Sequence, residues 1–343
     1  MVSPRGSKRR TAFQVNGGQW WIAASCGVAV ATNFMLVLAA AEPVATTAGG
    51  DIWRVQNHAE GIAIAEGSSP VLFYQRAPKS VQGRYERCGY VHPLYSLDGD
   101  VLTEDFPADH LHQRGVYWAW HQMWVGDQRV GDGWAIKDFS WEVTRAAVEH
   151  TDAHQVRMAA QVLWKSPLWC DDQGKPRPLV REQTTITVHR ATEQSRKIDF
   201  RIELLALTPG LRVGGSEDEK GYSGFSARVR LPEDVRFIGT SGAVEPAFGG
   251  VAAGPWIDIQ GTFAPERPSG LAILCHPTLP GFPQPWVLRR SRSMQNPAWP
   301  GRETAAISHE QPLTLRYRLV VHRNGATQAD GDVWQAEYAA ETP

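Results

Sequence analysis

The chain has 343 residues, enough for one large domain or two ordinary ones with a substantial core. Its 35 Lys plus Arg balance 36 Asp plus Glu, for a formal net charge of −1, so there is no basic field to grip nucleic acid. The 14 tryptophans are many for this length; large flat faces suit a core and also ring-shaped ligands.

Lys8, Arg9 and Arg10 give a positive start, Trp20 to Ala41 is nearly uncharged and mostly apolar, and small residues follow from Ala39 to Ala48. That order predicts a signal peptide over residues 1–45, cleaved near 41–50, and an exported, periplasmic or extracellular protein. The Arg9-Arg10 pair points to twin-arginine export as one route. The rival reading is an uncleaved anchor, because a run of ~20 apolar residues spans a bilayer; the membrane is then met only through this segment. After cleavage Cys88, Cys170 and Cys275 remain, an odd number at spacings that match no zinc motif.

Beyond residue 50 the pattern is strand-like. Gly61–Glu66 and Val71–Gln75 are short apolar runs separated by a Gly-Ser-Ser-Pro turn cluster. Val116 to Trp124, Gln155 to Trp164, Thr184 to His189, Ile198 to Leu207, Phe225 to Leu231, Gly270 to Cys275 and Leu313 to His322 follow, with alternation or β-branched content. Turns drawn from 32 Gly and 23 Pro punctuate them, and no long helical periodicity is visible. These strands predict an all-β protein, one large antiparallel β-sandwich over residues 50–343.

Asp109-His-Leu-His-Gln-Arg-Gly115 carries two histidines, an arginine and a carboxylate, and His121 follows after two tryptophans. If residues 110–114 are extended, alternation puts His110, His112 and Arg114 on one face, and Gly115 allows a bend. From Val116, Trp118, Trp120 and Trp124 share the core-facing side, while Tyr117, Ala119, His121 and Met123 share a side able to line a groove. His-x-His on one face chelates a metal or supplies an acid and a base, and Arg114 suits a carboxylate or a developing oxyanion. A third metal ligand has to come from elsewhere; His276, ending an apolar run before Pro277, is the candidate, so a divalent metal on His110, His112 and His276 stays open. Asp109 and Glu182 are the carboxylates available if the chemistry is hydrolysis.

Glu217 to Gly224 is a turn-rich loop in which Lys220 and Tyr222 are able to act as acid, base or charge neutraliser; its spacing alone reads as a solvated acidic turn. Trp286 and Asn296 sit in a long proline-rich loop, a length uncommon without function. Trp286 suits stacking on a sugar ring and Asn296 suits reading a hydroxyl, although such residues also simply pin loops down. No Gly-rich phosphate loop, dinucleotide fingerprint or Gly-x-Ser-x-Gly elbow is present, which argues against a nucleotide cofactor and a serine nucleophile.

Several segments carry a family resemblance: Tyr90-Val-His-Pro-Leu-Tyr95, Thr103 to Gly115, Lys220-Gly-Tyr-Ser-Gly-Phe225, Gly270 to Trp286, Gln295-Asn-Pro-Ala298 and Leu313 to His322. On these the chain resembles an uncharacterised bacterial family often labelled PmoA-like, or "methane oxygenase". Leu111 and Gln113 stand where that family usually has proline and a further histidine, and Thr278 and Leu279 where it tends to have an asparagine. The membrane-bound methane monooxygenase subunit is built of several membrane helices, and this chain has a single long apolar segment, so it is not that protein. Members of the resembled family tend to be exported by bacteria that degrade polysaccharides, which implies sugar chemistry on a sandwich of the mutarotase or polysaccharide-lyase sort. The expectation is a carbohydrate-active enzyme using histidine acid/base chemistry, its ligand a carbohydrate or other small molecule; hydrolase, lyase and epimerase are not distinguished. A non-catalytic glycan-binding protein and a His-ligated metal enzyme are the alternatives.

Overall fold

A computed structural model describes residues 52–341; the expected signal segment, residues 1–45, lies outside them. Two antiparallel sheets face each other. One has six strands in the order Trp53–Asn57, Gly61–Glu66, Ser69–Gln75, Tyr90–Leu94, Val116–Trp120, Ser223–Ala227. The other has nine and runs Ser140–Thr151, Gln155–Cys170, Pro176–His189, Ser195–Ala206, Leu313–Arg323, Arg267–Cys275, Trp256–Ala264, Arg236–Gly239, Gly242–Ala243. The fold is the expected all-β sandwich.

Alternation builds the core. In Ser195–Ala206 every second residue is buried, which turns Ile198, Phe200, Ile202 and Leu204 to one side. Leu315, Tyr317, Leu319 and Val321 do the same in the neighbouring strand. They meet Val116, Trp118 and Phe225 of the six-stranded sheet: Phe225 stacks on Tyr317 at 4.4 Å between centroids and meets Phe200 edge-on at 5.3 Å. Truncating such an aromatic to Ala costs about 3–5 kcal/mol.

Three expectations change. First, Val116–Trp120 and Gln122–Val125 are separate strands. The chain bends at His121 and enters a four-stranded side sheet with Leu211–Gly214, Thr304–Ala306 and Gln128–Gly131. The bend resets the alternation: Met123 falls in the main core while Trp124 is half-buried outside it with Arg129 over its ring, so only Tyr117, Ala119 and His121 follow the outer side. Second, residues 108–112 form turns rather than a strand. His110 N–H bonds Pro107 O and Gln113 N–H bonds His110 O, two successive turns begun by turn-forming Pro107 and its neighbours. Gly115 then lets the chain lie against the neighbouring strand, since a side chain there would run into the Val91 carbonyl.

Third, a helix spans Gln328–Ala339. A capping box of Thr327 and Asp330 starts it. Tyr338 joins Trp256, Ala272, Leu274 and Val320, residues alternating with the core-facing ones, so the helix covers the outer face of the nine-stranded sheet. Gly331 permits that docking, because a Cβ there would strike the Trp256 ring.

Candidate functional site

The site builds on the other outer face, that of the six-stranded sheet. Tyr117 and Ala119 turn outward between the inward Val116, Trp118 and Trp120, and with Tyr90, Trp134 and Met294 they form a small buried apolar layer. Tyr222 packs against this layer from the 216–222 loop.

Arginines fasten the 104–114 loop over it. Arg228, buried just past the strand Ser223–Ala227, donates to Glu104 at 2.7 Å, to Gln113 at 2.7 Å and to both oxygens of Asp109 at 2.9 and 3.1 Å. Arg114 is fully enclosed: its guanidinium lies 3.3 Å from the Phe106 ring centroid and bonds Tyr85 O and Asp105. It therefore presents no open edge to a ligand in this structure and holds the loop instead. Arg87 fills the gap where Tyr90–Leu94 parts from Val116–Trp120, donating to Trp118 O at 2.7 Å with its guanidinium 5.0 Å from the Tyr117 ring centroid. Burial lowers it to about 10, with Arg114 adding to the effect against the Tyr117 and Glu182 charges.

The two turns bring His110 and His112 together edge to face, ring centroids 5.6 Å apart. His110 Nδ1 lies 2.7 Å from Asp109 Oδ2. A carboxylate only accepts, so His110 carries its proton on Nδ1 and leaves Nε2 without a partner among the described residues. Burial pushes the Asp109 carboxyl up, yet His110 and Arg228 outweigh it and hold it below the ordinary aspartate value. His112 is lowered to about 4, by burial first and then by the charges of His110 and His121. It is a neutral imidazole at pH 7, half-buried and making no hydrogen bond among the described residues.

His121, at the corner between sheets, repeats the pattern. Its Nδ1 donates to Asp132 Oδ2 at 2.9 Å, while Asp132 Oδ1 accepts the Ala135 N–H at 2.8 Å. That turn presents Trp134. His121 stacks on Trp134 at 5.4 Å and 24°, and Trp134 on Tyr222 at 5.5 Å and 21°. Lys220 Nζ lies 5.7 Å from the Tyr222 ring centroid and 4.8 Å from that of Phe248, and the Arg289 guanidinium lies 5.6 Å from Tyr222. Phe248, 63% exposed, is an open aromatic face.

A cleft of about 550 Å³ lies on the same outer face, lined by His58, Phe73, Lys79 and His92 among others. Burial lowers His92 to about 4, with Lys79 and Arg114 adding to the effect and Asp105 opposing it. Asp105 joins cleft and loop: it accepts from Lys79 at 2.6 Å, Tyr90 OH at 3.2 Å and Arg114 at 3.4 Å.

The structure thus gathers Asp109, His110, His112, His121, Tyr222 and Lys220, with Arg114 beneath them. The other sequence candidates stand apart. His276 lies under the C-terminal helix, 3% exposed, Nδ1 2.8 Å from Thr278 Oγ1 and Nε2 2.8 Å from Arg316 Nη1, with its ring 5.0 Å from Tyr338. It does not join His110 and His112, and no cluster of three His, Cys, Asp or Glu suited to a metal occurs among the described residues. Glu182 is sealed in the sandwich, accepting from Trp118 Nε1 at 2.9 Å, Trp164 Nε1 at 2.8 Å and Thr184 Oγ1 at 2.7 Å. Burial raises its carboxyl against the pull of those bonds. Trp286 is fully buried and donates to Gly254 O, so its ring face is closed. Asn296 is also buried; it donates to Ser223 O and Phe225 O and accepts from Ser223 N–H, fixing the strand that follows Tyr222.

Sequence reasoning missed Asp132, Trp134, Arg228, Phe248 and Arg289. The Asp132-Gly133-Trp134 turn after a histidine was the one usable signal. Arg228 reads as another alternating strand residue, and the others lie in separate loops.

No curated protein matches the chain. A family model described as a family of unknown function (DUF6807) matches residues 61–335, which includes every segment that builds the site, and the chain belongs to that family.

Proposed function

We propose that the protein is an exported carbohydrate-active enzyme that uses imidazole acid/base chemistry on a sugar held at the outer face of the six-stranded sheet. One observation carries the reading: three imidazoles from two segments gather on a half-exposed surface beside the Trp134–Tyr222 stack. His110 and His121 are each backed by a carboxylate, which fixes the tautomer and steadies the imidazolium formed when a proton arrives. His112 stays uncharged and offers a neutral partner to a hydroxyl. Asp109 and Asp132 are committed to their histidines and Glu182 is sealed, so the arrangement favours proton abstraction, as in β-elimination or epimerisation, over hydrolysis between two free carboxylates.

Asp109–Gly115 and Lys220–Phe225, two segments on which the chain resembles the PmoA-like family, both contribute to this surface. Export rests on the N-terminal sequence order. The exposed Phe248 also suits a glycan-binding protein without catalysis. The test is a panel of plant and bacterial oligosaccharides incubated with the protein, with products read by mass spectrometry. Turnover that disappears in His121→Ala and in the His110→Ala/His112→Ala double variant supports the proposal. Turnover intact in both removes it, and binding without turnover in the wild type leaves the glycan-binding reading.

A further inference from the structure

We infer that this surface takes an acidic oligosaccharide, and that Arg289 reads the carboxylate of a sugar unit neighbouring the one at the imidazoles; the inference rests on the sugar reading above. A guanidinium has five N–H donors. In Arg289 Nη1 donates to Ala247 O at 2.8 Å and Leu288 O at 2.7 Å, and Nη2 donates to Phe248 O at 2.7 Å. Nε–H and one Nη2–H remain; with Phe248 O on the Nη2–H that faces Nη1, these two share the Nε edge of the planar group. That edge matches the two oxygens of a carboxylate in a side-on fork. Among the described residues Arg289 has no carboxylate partner.

The arginine is also held ready. The fully buried Gln295 accepts its backbone N–H at 2.9 Å and donates to its carbonyl at 2.9 Å. Three carbonyls and a buried amide fix a half-exposed cation, so little side-chain freedom is lost when an anion arrives.

The surroundings fit a sugar acid better than a bare anion. Phe248 offers an open ring beside the cation, and Lys220 sits between it and Tyr222. The nearby carboxylates are partly committed: Asp218 lies 3.1 Å from Lys220, Glu217 pairs with Arg129 at 3.1 Å and Glu245 with Arg290 at 2.6 Å. Glu219 of the same loop remains and sets an acidic neighbour against the ligand. Two ring-to-ring steps of about 5.5 Å separate Tyr222 from His121, so the unit read by Arg289 is not the one that meets His121.

The test uses the full mature chain and oligosaccharides of hexuronic acids of several linkages, each paired with its neutral methyl ester, with affinities from calorimetry. The acid is expected to bind about tenfold tighter than its ester, as a charge-assisted fork provides. That gap should shrink as salt rises, close in Arg289→Ala, and persist in part in Arg289→Lys, which keeps the charge without the fork. Melting curves confirm that the variants fold, and the wild-type comparison of acid with ester needs no variant. Acid and ester bound equally, or a gap that survives Arg289→Ala, overturns the inference while leaving a sugar site. Failure of every acid, ester and neutral sugar to bind overturns the sugar reading and this inference with it.

Discussion

The two outer faces of the sandwich carry the same kinds of side chain and treat them in opposite ways. Under the C-terminal helix, Arg318 is clamped by Asp199 and Glu341, and His322 is buried with Nε2 2.9 Å from the buried Asp258 and Nδ1 3.3 Å from Arg323 O. His276 is closed in by Arg316 and Tyr338. Over the six-stranded sheet, the carboxylates hold only one nitrogen of His110 and His121, and His112 has no partner among the described residues. An imidazole with both nitrogens engaged fastens a structure. One bonded on a single side still has a proton site to offer.

The largest expected effect separates these faces directly. The His110→Ala/His112→Ala double variant should lose turnover by about 10²–10⁴-fold, the usual worth of a positioned acid or base. Its melting temperature should hardly move. His276→Gln should do the reverse, leaving turnover unchanged and lowering the melting temperature by about 2–4 °C for about 1 kcal/mol. Steady-state kinetics and melting curves of both variants decide it, and equal behaviour would dissolve the contrast.

Next in size are two packing changes. Arg228→Met leaves Glu104 and Asp109 without their cation and should cost about 2–3 kcal/mol in urea unfolding, with His110 losing its orientation as well. Gly331→Val drives a side chain into Trp256 and should cost about 1–3 kcal/mol through the helix, with catalysis spared.

Opposite in sign on the two faces are the responses to pH. His112 and His92 are lowered to about 4 in the folded protein, against about 6.5 in an unfolded chain. Between those values the unfolded chain binds more protons, so their face loses stability as pH falls from about 6.5 towards 4. For His322, burial alone would lower the imidazole, but Asp258 overrides it and raises it. Its contribution is complete below about pH 6.5 and is lost as pH rises through the folded value. Hydrogen exchange at several pH values should show protection fading over the 104–114 loop on acidification and over the helix on the alkaline side. The same sign on both faces would overturn the assignment.

Much of the fold was legible in the chain. Alternation located Gly61–Glu66 to the residue, Leu313–Arg323 within one position and parts of Gln155–Cys170, Pro176–His189 and Ser195–Ala206, because inward residues of a sandwich must be apolar; Ser140–Thr151, most of whose residues are half-buried or exposed, and Trp256–Ala264 went unread. The helix was not legible: its apolar contacts reduce to Trp334 and Tyr338, an interior Gly331 weakens its propensity, and only the Thr327–Asp330 box announces it. For the site, the composition of Asp109–His121 was informative although its backbone forms turns. What local pattern does not carry is which loops meet. His276 follows a strand paired with Leu313–Arg323, and that long-range pairing sends it to the far face, just as long-range pairing brings Tyr222 to Trp134.

Asp105 ties the 550 Å³ cleft to the histidine loop, accepting from Lys79 at the cleft wall and from Arg114 under the loop. One carboxylate shared by two cations is a balance. The wall of the cleft and the footing of the histidine loop therefore draw on the same negative charge, and a substitution at Lys79 changes the surroundings of Arg114 as well as those of the cleft.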